Sequence, residues 1–422
     1  MAREAQAPMP RHDDISSMIS VQDARNGVMS KIQTLQAIEL PLQEAHGCIL
    51  AEDVIAEADI PPFASSAMDG FAVRSSDATA ATPESPVGLH VVGKAMIGQR
   101  PDATVGRGEA VRIATGAPIP AGADSVVPIE DCREEGDRVQ ILRGVPMGKH
   151  IRPAAEDIRA GDVLVAGGRR LSAPELGLLA AAGHMRASVH PRPRVVVFST
   201  GDELVEPGKT LEFGKIHDSN MYTLFGQVKE AGAMPYSGGT IQDDVDELKE
   251  AVLSHLSQAD VFISSGGVSV GERDVVKAAF FRRGDIDFYR VAMQPGMPQG
   301  FGLIEGKPYF GLPGNPVSVF VSFEVFIRPA LLKMMGRTEL ERPKVTATLE
   351  GPISGPKEKT VFARVTVEPS GSGWSAAPTG GRGSNLLATV ARANGLAIIP
   401  GGVERLDAGD EVQVMVFRPR DD

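Results

Sequence analysis

Cysteine is scarce in this chain of 422 residues, which contains only Cys48 and Cys132. Two cysteines cannot build a disulfide framework or a four-cysteine zinc site, and their scarcity indicates a reducing compartment. Long apolar runs are missing too. The most continuous run, at residues 176–183, is far shorter than the roughly 20 residues that a membrane-spanning helix needs. The N-terminus lacks the apolar core of a secretion signal, so we expect a cytoplasmic protein that does not associate with membranes.

Positive charge and aromatic side chains are also in short supply. Lys and Arg total 43 against 54 Asp and Glu, which gives a net charge of −11. Such a balance disfavours nonspecific binding of nucleic acid. Aromatic residues make up 5% of the chain, with a single tryptophan, Trp374, so platforms for stacking bases are few. We therefore expect no nucleic-acid partner.

Glycine and proline are abundant, at 47 and 31 residues, while hydrophobic residues still reach 42%. This mixture indicates a loop-rich globular protein, and its length predicts two to four domains. Apolar residues spaced three and four apart predict a helix at 20–32, which Ser20 would cap. Short extended pieces broken by Pro and Gly then predict mostly β structure to about residue 150.

A second helix is predicted from Ser172, because Ser172 and Glu175 have the spacing of a capping box. The Pro191-Arg192-Pro193 connector follows, and it places a domain boundary near 185–193. Beyond it, predicted strands alternate with predicted helices. The strands are at 194–200, 234–241, 260–265 and 309–312, and the helices are at 219–232, 243–256, 272–281 and 317–335. This alternation predicts a doubly wound, mostly parallel three-layer α/β domain. After Gly336 the period-two pattern returns and predicts a small C-terminal β domain, similar to a barrel.

Three loops at the carboxyl ends of predicted strands combine acidic residues with Ser, Thr or Gly. They span residues 199–203, 240–244 and 264–274. Hydroxyls and exposed amides in such loops can hold phosphate oxygens. Carboxylates repel phosphate unless a cation lies between them, and Mg²⁺ takes one or two carboxylates together with phosphate oxygens. The loops therefore predict a metal-assisted phosphate site, with Asp243 and Asp274 close together after adjacent strands.

The two aspartates have a second interpretation, and a fourth loop could also bind an anion. Asp243 and Asp274 could instead be helix caps or first-turn acids, which the helix dipole favours. A fourth loop, at 311–316, enters a helix with Asn315 as its predicted cap and Pro316 at its first position, so that free amides would face an anion.

Several short motifs resemble known functional sites but lack residues that those sites need. Residues 267–271 match the G-x-S-x-G nucleophile elbow, but that fold needs a histidine after the serine. All eight histidines precede Ser269. Gly208-Lys209-Thr210 lacks the earlier glycine of a P-loop. The histidines have no paired ligand spacing. In the β region, Asp69-Gly70 fits a hairpin turn as well as a site, and residues 112–118 and 152–158 are individually typical of turns.

Read together, six segments resemble the molybdopterin molybdenumtransferase family, the MoeA proteins related to the E domain of gephyrin. They occur in the family's order and cover most of the chain up to the β tail: SSAMDGFAVR at 65–74, RIATGAPIP at 112–120, AAEDIRAGD at 154–162, FSTGDEL at 198–204, SSGGVSVGERD at 264–274 and GLPGNPVS at 311–318.

The resemblance implies a four-part subunit. Its parts would be an elongated N-terminal domain at 13–57 and 150–184, an inserted β-rich domain at 58–149, the α/β domain at 185–337 and the β domain at 338–422. It also implies a homodimer with an active cleft between the α/β domain of one subunit and the N-terminal parts of its partner. Contacts with the molybdopterin adenylyltransferase and with recipient molybdoenzymes fit the same role.

The implied reaction inserts molybdate into the dithiolene of adenylylated molybdopterin, with cleavage of the pyrophosphate bond and release of AMP. Mg²⁺ would be held by Glu203, Asp243 and Asp274. The implied catalytic residues are Asp69, Thr115, Asp157, Glu203, Asp243 and Asp274. The predicted substrate-binding residues are Arg152, Ser199, Thr200, Gly201, Ser265, Gly266, Gly267, Ser269, Arg290, Pro313, Gly314, Asn315, Pro316, Arg364 and Ser384.

One segment departs from the family. Relatives commonly have K-P-G-K-P where this chain has Gln294-Pro295-Gly296-Met297-Pro298, and those lysines help attract the oxyanion. Arg290, Arg364 and Ser384 are the remaining candidates for holding it. Two other functions stay open: a carrier or assembly scaffold without turnover, and the related adenylyltransferase step, whose enzyme resembles residues 190–335.

Overall fold

The computed structural model describes residues 18–267, 275–280 and 286–418. The chain divides into two compact units. The first contains Met1–Ile38, Gly47–Ala51 and Ser188–Asp422, and the second contains Glu39–His46 and Glu52–Ala187. The finer division into four domains stays a prediction. In the part of the chain that the structure describes, no helix is long and apolar enough to cross a membrane.

The helices are short, and most lie in the first unit. They are α1 Val21–Lys31, α2 Leu42–Ala45, α3 Ser75–Ala78, α4 Ala173–Ala181, α5 Asn220–Glu230, α6 Val245–Ser254, α7 Val275–Phe280, α8 Pro316–Ser322, α9 Arg328–Met334 and α10 Leu387–Arg392. Both predicted N-terminal caps are present. The Ser20 side chain accepts from the Asp23 N–H at 3.0 Å, and the Glu175 carboxylate accepts from the Ser172 N–H at 3.0 Å.

The strands up to residue 190 are short and mostly antiparallel. They are β1 Ile38–Pro41, β2 Ile49–Leu50, β3 Val54–Ile55, β4 Ser65–Ser66, β5 Gly70–Val73, β6 Val87–Ala95, β7 Glu109–Ile113, β8 Ser125–Pro128, β9 Cys132–Glu135, β10 Arg138–Ile141, β11 Ile151–Arg152, β12 Val163–Val165 and β13 Arg186–His190. Six of them form one sheet in the second unit, in the order β8-β5-β7-β6-β10-β9. Phe71 and Val73 enter one core cluster and Ala72 another, because alternate side chains leave opposite faces of a strand.

The hairpin interpretation of Asp69-Gly70 is wrong. Gly70 is the first residue of β5, which lies between β7 and β8. A Cβ atom at Gly70 would overlap the backbone carbonyl of Val127. This glycine therefore allows two strands to approach closely, and it does not serve a turn.

The predicted doubly wound α/β domain is confirmed in the first unit. Its strands are β14 Arg194–Thr200, β15 Leu204–Val205, β16 Ile216–His217, β17 Met234–Ile241, β18 Val261–Ser265, β19 Ile286–Arg290, β20 Met293–Gln294, β21 Pro298–Ile304 and β22 Lys307–Leu312. The main sheet has the order β17-β14-β18-β22-β21-β19. Its first four strands are parallel, and β21 runs antiparallel to both of its neighbours, β22 and β19.

Both faces of this sheet are covered, as a parallel sheet requires. Val195 and Val197 pack with Leu224 of α5 on one face. Val196 and Phe198 pack with α6 and α7 on the other. Because β14 lies between β17 and β18, the strands that precede the two acidic loops are not adjacent, and the prediction that they are adjacent is wrong. The predicted closeness of Asp243 and Asp274 stays a prediction, because Asp274 lies outside the described residues.

The long predicted helix from Val317 to Met335 is present, with one interruption. A π-helical turn, Phe323–Ile327, joins α8 to α9. It ends just before α9, whose second residue, Pro329, has no N–H to continue the α-helical bonds. Inside this turn, the buried Glu324 carboxylate pairs with Arg342 at 2.9 Å.

The predicted C-terminal β domain is a closed barrel. Its strands are β23 Lys344–Leu349, β24 Ile353–Ser354, β25 Thr360–Ser370, β26 Gly373–Pro378, β27 Gly395–Ile399, β28 Arg405–Leu406 and β29 Glu411–Val416. The order β25-β26-β23-β29-β27 closes because β27 also pairs with β25. The short strand β20 also pairs with the first two residues of β25.

Candidate functional site

A cavity of about 530 Å³ opens at the carboxyl ends of β14, β18 and β22. Ligands of open α/β sheets bind at this edge. The described lining comes from the loops that follow β14, β17, β18 and β22, from the segment that leads into α5 and from the barrel domain. It comprises Thr200, Gly201, Glu203, Leu204, Ile216, His217, Asp218, Ser219, Asn220, Asp243, Ser265, Gly266, Gly267, Gly314, Asn315, Pro316 and Asn385.

Glycines let the loops fold tightly at this edge. Gly266 and Gly267 have φ values of +94° and +65°, a region that other residues rarely adopt. A Cβ atom at Gly266 would overlap the Thr200 carbonyl oxygen at the end of β14. The two strand ends therefore meet closely, and the floor of the cavity is made of backbone and small side chains.

Carboxylates dominate the charge of this cavity. Glu203 and Asp243 line it, and the Asp243 N–H donates to the Asp202 carboxylate at 3.1 Å. Burial, and then the neighbouring charges of Asp202 and Glu203, raise the pKa of the Asp243 carboxyl. None of the described lining residues is Lys or Arg. A phosphate would enter this cavity favourably only together with a cation.

The alternative role of Asp243 as a helix cap is wrong. Asp244 is the N-cap of α6, and its carboxylate accepts from the N–H groups of Asp246 and Glu247, both at 2.9 Å. Asp243 makes no contribution to that cap and lies in the cavity wall. Asp274 and Ser269 lie outside the described residues.

The loop before α8 is arranged differently from the prediction. Asn315 occupies the N-cap position, but its side chain makes no capping hydrogen bond. The Val317 N–H donates to the backbone carbonyl of Ser384 at 3.0 Å. This amide is therefore occupied by the barrel domain and is not free for an anion. The same contact explains how Asn385 comes to line the cavity.

Seven lining residues were not predicted as site residues: Leu204, Ile216, His217, Asp218, Ser219, Asn220 and Asn385. The Asp218 carboxylate accepts from the Met221 N–H at 3.1 Å, and the Asn220 amide donates to the Gly314 carbonyl at 2.8 Å. For His217 and Asp218, the available signal was a run of polar residues immediately before a predicted helix. These contacts fix the start of α5 against the loop that precedes α8.

The donor set of the cavity suits Mg²⁺. Carboxylate oxygens are its preferred protein ligands, and it needs one or two of them beside phosphate oxygens and water. Glu203 and Asp243 supply that number. Within residues 18–267, 275–280 and 286–418, no group of three or more His, Cys, Asp or Glu side chains is arranged to hold a metal by itself.

Ser199 and Pro313 are not part of the described lining. Ser199 is fully buried, and its hydroxyl lies 3.4 Å from that of Ser265. The structure therefore places Ser199 behind the cavity wall, where it joins β14 to β18.

A second cavity, of about 320 Å³, lies between the barrel and β20. Its lining includes Gln294, Pro295, Arg364 and Arg382. Arg364 is 7% exposed, and it donates to the Thr389 hydroxyl at 3.1 Å and to the carbonyls of Gly381 and Gly383. Two guanidinium groups make this cavity suited to a small oxyanion.

Arg290 lies outside that lining. Its Nη2 atom is 4.0 Å from the sulfur of Met297. Ser384 does not line the small cavity either, since its carbonyl belongs to the contact with α8. Of the three residues predicted to hold the oxyanion, Arg364 lines the small cavity, and Arg290 and Ser384 do not.

The other predicted residues lie in the second unit. The Thr115 N–H donates to the Asp69 carboxylate at 2.9 Å, and Arg152 pairs in register with Ser65. Asp157 follows on the same segment, where its N–H donates to the Ile60 carbonyl at 3.0 Å. Asp69, Arg152 and Asp157 are exposed. The structure therefore divides the predicted catalytic residues between the two units.

Three family models match this chain in succession. They describe the MoeA N-terminal region (domains I and II) at residues 19–183, a probable molybdopterin-binding domain at 196–333 and the MoeA C-terminal region (domain IV) at 346–417. Together they span most of the chain.

Similar proteins agree with these models. Molybdopterin molybdenumtransferase 2 of Mycobacterium tuberculosis is 42% identical over 404 residues, which are 94% of this chain and 99% of that protein. Molybdopterin molybdenumtransferase of Nostoc sp. is 36% identical, over 98% of this chain and 97% of its own. The solved structure of a molybdopterin biosynthesis MoeA protein from Pyrococcus horikoshii is 33% identical and superposes with a TM-score of 0.82, over 96% of this chain and all (100%) of that one.

Proposed function

Because this chain belongs to the MoeA family of molybdopterin molybdenumtransferases, we propose that it acts in molybdenum cofactor biosynthesis by inserting molybdenum into molybdopterin. It is a transferase. We propose further that the pterin substrate is adenylylated and that molybdate supplies the metal. Insertion then accompanies cleavage of the pyrophosphate bond and release of AMP. The cytoplasm is the expected compartment.

The observation that carries this proposal is the 530 Å³ cavity, whose charged lining is acidic although the substrate is anionic. Glu203 and Asp243 repel a pyrophosphate on their own, so a divalent cation must bind with it. We assign Mg²⁺ to these two carboxylates and to Asp274. When bound, the ion neutralises the phosphate oxygens and the charge that develops on the leaving AMP.

The other groups of the cavity orient the pyrophosphate. The hydroxyls of Thr200 and Ser265 and the backbone of Gly201, Gly266 and Gly267 lie at the strand ends, where they can donate to phosphate oxygens. Gly314, Asn315 and Pro316 also line this cavity. With the anhydride held in one orientation, a water molecule attacks one of its two phosphorus atoms. The new P–O bond forms as the bond from that phosphorus to the bridging oxygen breaks. The bridging oxygen stays on the other phosphate, so the products are AMP and a pterin with a single phosphate.

Molybdate is assigned to the smaller cavity at Arg364. Arg364 keeps a positive charge even though burial lowers its pKa. Gln294 stands in this wall where relatives commonly have lysine, and Met297 stands at the second such position. We therefore expect this protein to require more molybdate than a relative that has both lysines, because two attractive charges are missing.

We also propose a homodimer with the active cleft between subunits. The support is the resemblance, together with the division of the predicted catalytic residues between the two units. Asp69→Asn and Asp243→Asn should each be inactive alone. If the cleft is shared, a mixture of the two variants that exchanges subunits forms one intact cleft and recovers part of the activity. No recovery in an exchanged, dimeric mixture would contradict the shared cleft.

Release of AMP from adenylylated molybdopterin tests the proposed function. With Mg²⁺ and molybdate, the full chain should release AMP over many turnovers. Binding of the pterin without AMP release would indicate a carrier or scaffold. Formation of adenylylated molybdopterin from molybdopterin and ATP would indicate the adenylyltransferase step. A functioning insertion enzyme should also accept its substrate from that adenylyltransferase and deliver its product to molybdoenzymes.

A further inference from the structure

Gln299 is a buried polar residue that the proposed reaction does not use. It lies in β21 and is 7% exposed. Its side-chain amide donates to the Gly296 carbonyl and to the Ser322 hydroxyl, both at 2.6 Å. A carbonyl oxygen can only accept, so the orientation of the amide is fixed by chemistry, with its nitrogen toward Gly296. Gln299 therefore joins the 294–298 loop to the end of α8.

The 294–298 loop carries part of the wall of the 320 Å³ cavity, through Gln294 and Pro295. Its two ends are held by backbone contacts. Gln294 pairs with Val361 of the barrel, and the Val291 N–H donates to the Met297 carbonyl at 2.8 Å. Its middle is held by the Gln299 amide at Gly296.

The middle of the loop has little freedom beside Ser322. Gly296 has a φ of +94°, and a Cβ atom there would lie 2.8 Å from the Ser322 hydroxyl oxygen and 3.3 Å from the Gln299 amide nitrogen. The loop backbone thus packs directly against the two side chains that fix it. If the amide were lost, the Gly296 carbonyl and the Ser322 hydroxyl would both lose a buried partner, and the loop would shift to find others.

We propose that Gln299 is a positioning residue for the oxyanion cavity, because it fixes the loop that carries Gln294 and Pro295, which line that cavity together with Arg364. The assignment of molybdate to that cavity rests on the proposed function. Gln299 itself lies behind the wall and does not contact the anion. Its loss should therefore weaken molybdate binding while the 530 Å³ cavity, which other loops form, continues to bind the adenylylated pterin.

The test compares Gln299→Met with Lys307→Met in the full chain. Methionine is close to glutamine in length and removes the donor without adding charge. Lys307 is the matched control, because its ammonium donates to the carbonyls of Leu256 and Ala259 at the start of β22, the end of the strand opposite the cavities. Each variant loses two side-chain hydrogen bonds, at least one of them to a backbone carbonyl.

For Gln299→Met we expect the KM for molybdate to rise about tenfold, which corresponds to about 1.4 kcal/mol. The KM for adenylylated molybdopterin and the kcat at saturating molybdate should stay within about twofold of the parent. Calorimetric titration with molybdate alone should show the same weakening. Lys307→Met should lower thermal stability and leave the KM for molybdate unchanged.

Two results would overturn the inference while leaving the proposed function intact. One is an unchanged KM for molybdate in Gln299→Met, and the other is an equal rise in both variants, which would reveal a general effect of lost stability. Failure of the parent protein to release AMP would instead refute the proposed function, and calorimetry of molybdate binding would still test Gln299.

Discussion

Adjacent aspartates at the start of α6 should respond in opposite ways to substitution. Asp244 caps the helix through two hydrogen bonds of 2.9 Å, whereas Asp243 faces the cavity. Removing an aspartate cap costs about 1 kcal/mol, within a range of about 0.5–2. Asp244→Ala should therefore lower the melting temperature by about 2–4 °C. Asp244→Ser keeps a capping oxygen and should restore most of that loss.

Asp243→Asn should not destabilise the protein. Burial and two neighbouring acids raise the pKa of Asp243 in the folded state. Its ionisation therefore removes stability as the pH rises from the unfolded value through the folded one. Asparagine has no such ionisation, so in EDTA the variant should be at least as stable as the parent at neutral pH. The difference should vanish at a pH below the unfolded pKa of aspartate.

Mg²⁺ and AMP release complete this comparison. Mg²⁺ should raise the melting temperature of the parent and of Asp244→Ser, because a ligand that binds only the folded state stabilises it. It should do so much less in Asp243→Asn, which should also release AMP at least about 100-fold more slowly. Scanning calorimetry in EDTA and in Mg²⁺ gives both quantities. A loss of stability in Asp243→Asn equal to that in Asp244→Ala, with the Mg²⁺ effect intact, would refute the assignment.

Three further predictions concern other parts of the chain. Arg342→Met should lower the free energy of unfolding by about 3–5 kcal/mol in urea, because it leaves the Glu324 carboxylate, 1% exposed, without its cation; a loss below about 1 kcal/mol would contradict this. The double variant Gln294→Lys with Met297→Lys should lower the molybdate concentration for half-maximal activity and increase its salt dependence, and an unchanged molybdate dependence would place the anion elsewhere. Gly266→Ala should cost about 1–3 kcal/mol in backbone strain, because φ is +94° there, and it should abolish AMP release. Wild-type activity would show that the loops at the ends of β14 and β18 tolerate the added methyl group.

The parallel strands could be predicted because strands buried on both faces consist of consecutive apolar residues. Arg194–Thr200 and Met234–Ile241 have the same bounds in the sequence analysis and in the structure. The run Val195-Val196-Val197-Phe198 is apolar on both faces, which is typical of a strand covered by helices on both sides. The helix of residues 243–256 likewise showed its buried stripe, and Leu248 and Val252 are fully buried.

The antiparallel strands of the same sheet were not predicted. Strand β21, Pro298–Ile304, begins with proline and contains two glycines and Gln299, a composition that local pattern favours as a loop. The buried Gln299 is tolerated in this strand because the Ser322 hydroxyl and the Gly296 carbonyl accept hydrogen bonds from its amide. Neither partner can be identified from the local sequence pattern. Such pairing depends on tertiary structure, which periodicity does not contain.

The candidate site shows the same division. Its acidic loops could be predicted from strand ends and residue chemistry, and Glu203 and Asp243 do line one cavity. That pattern does not contain the order of the strands in the sheet. The sequence analysis therefore placed the loops of Asp243 and Asp274 after adjacent strands, whereas β14 lies between β17 and β18. The hydrogen bond from the Val317 N–H to the Ser384 carbonyl joins segments far apart in the chain, so it could not be predicted from local sequence either.

The molybdenum balance of a single turnover tests the central claim most directly. The full chain is mixed with adenylylated molybdopterin, Mg²⁺ and excess molybdate, and both AMP and pterin-bound molybdenum are quantified over time. If insertion and pyrophosphate cleavage are one process, the two products appear together in equal amounts, and Asp243→Asn produces neither. AMP released without bound molybdenum, or molybdenum bound with the pyrophosphate intact, would contradict the account.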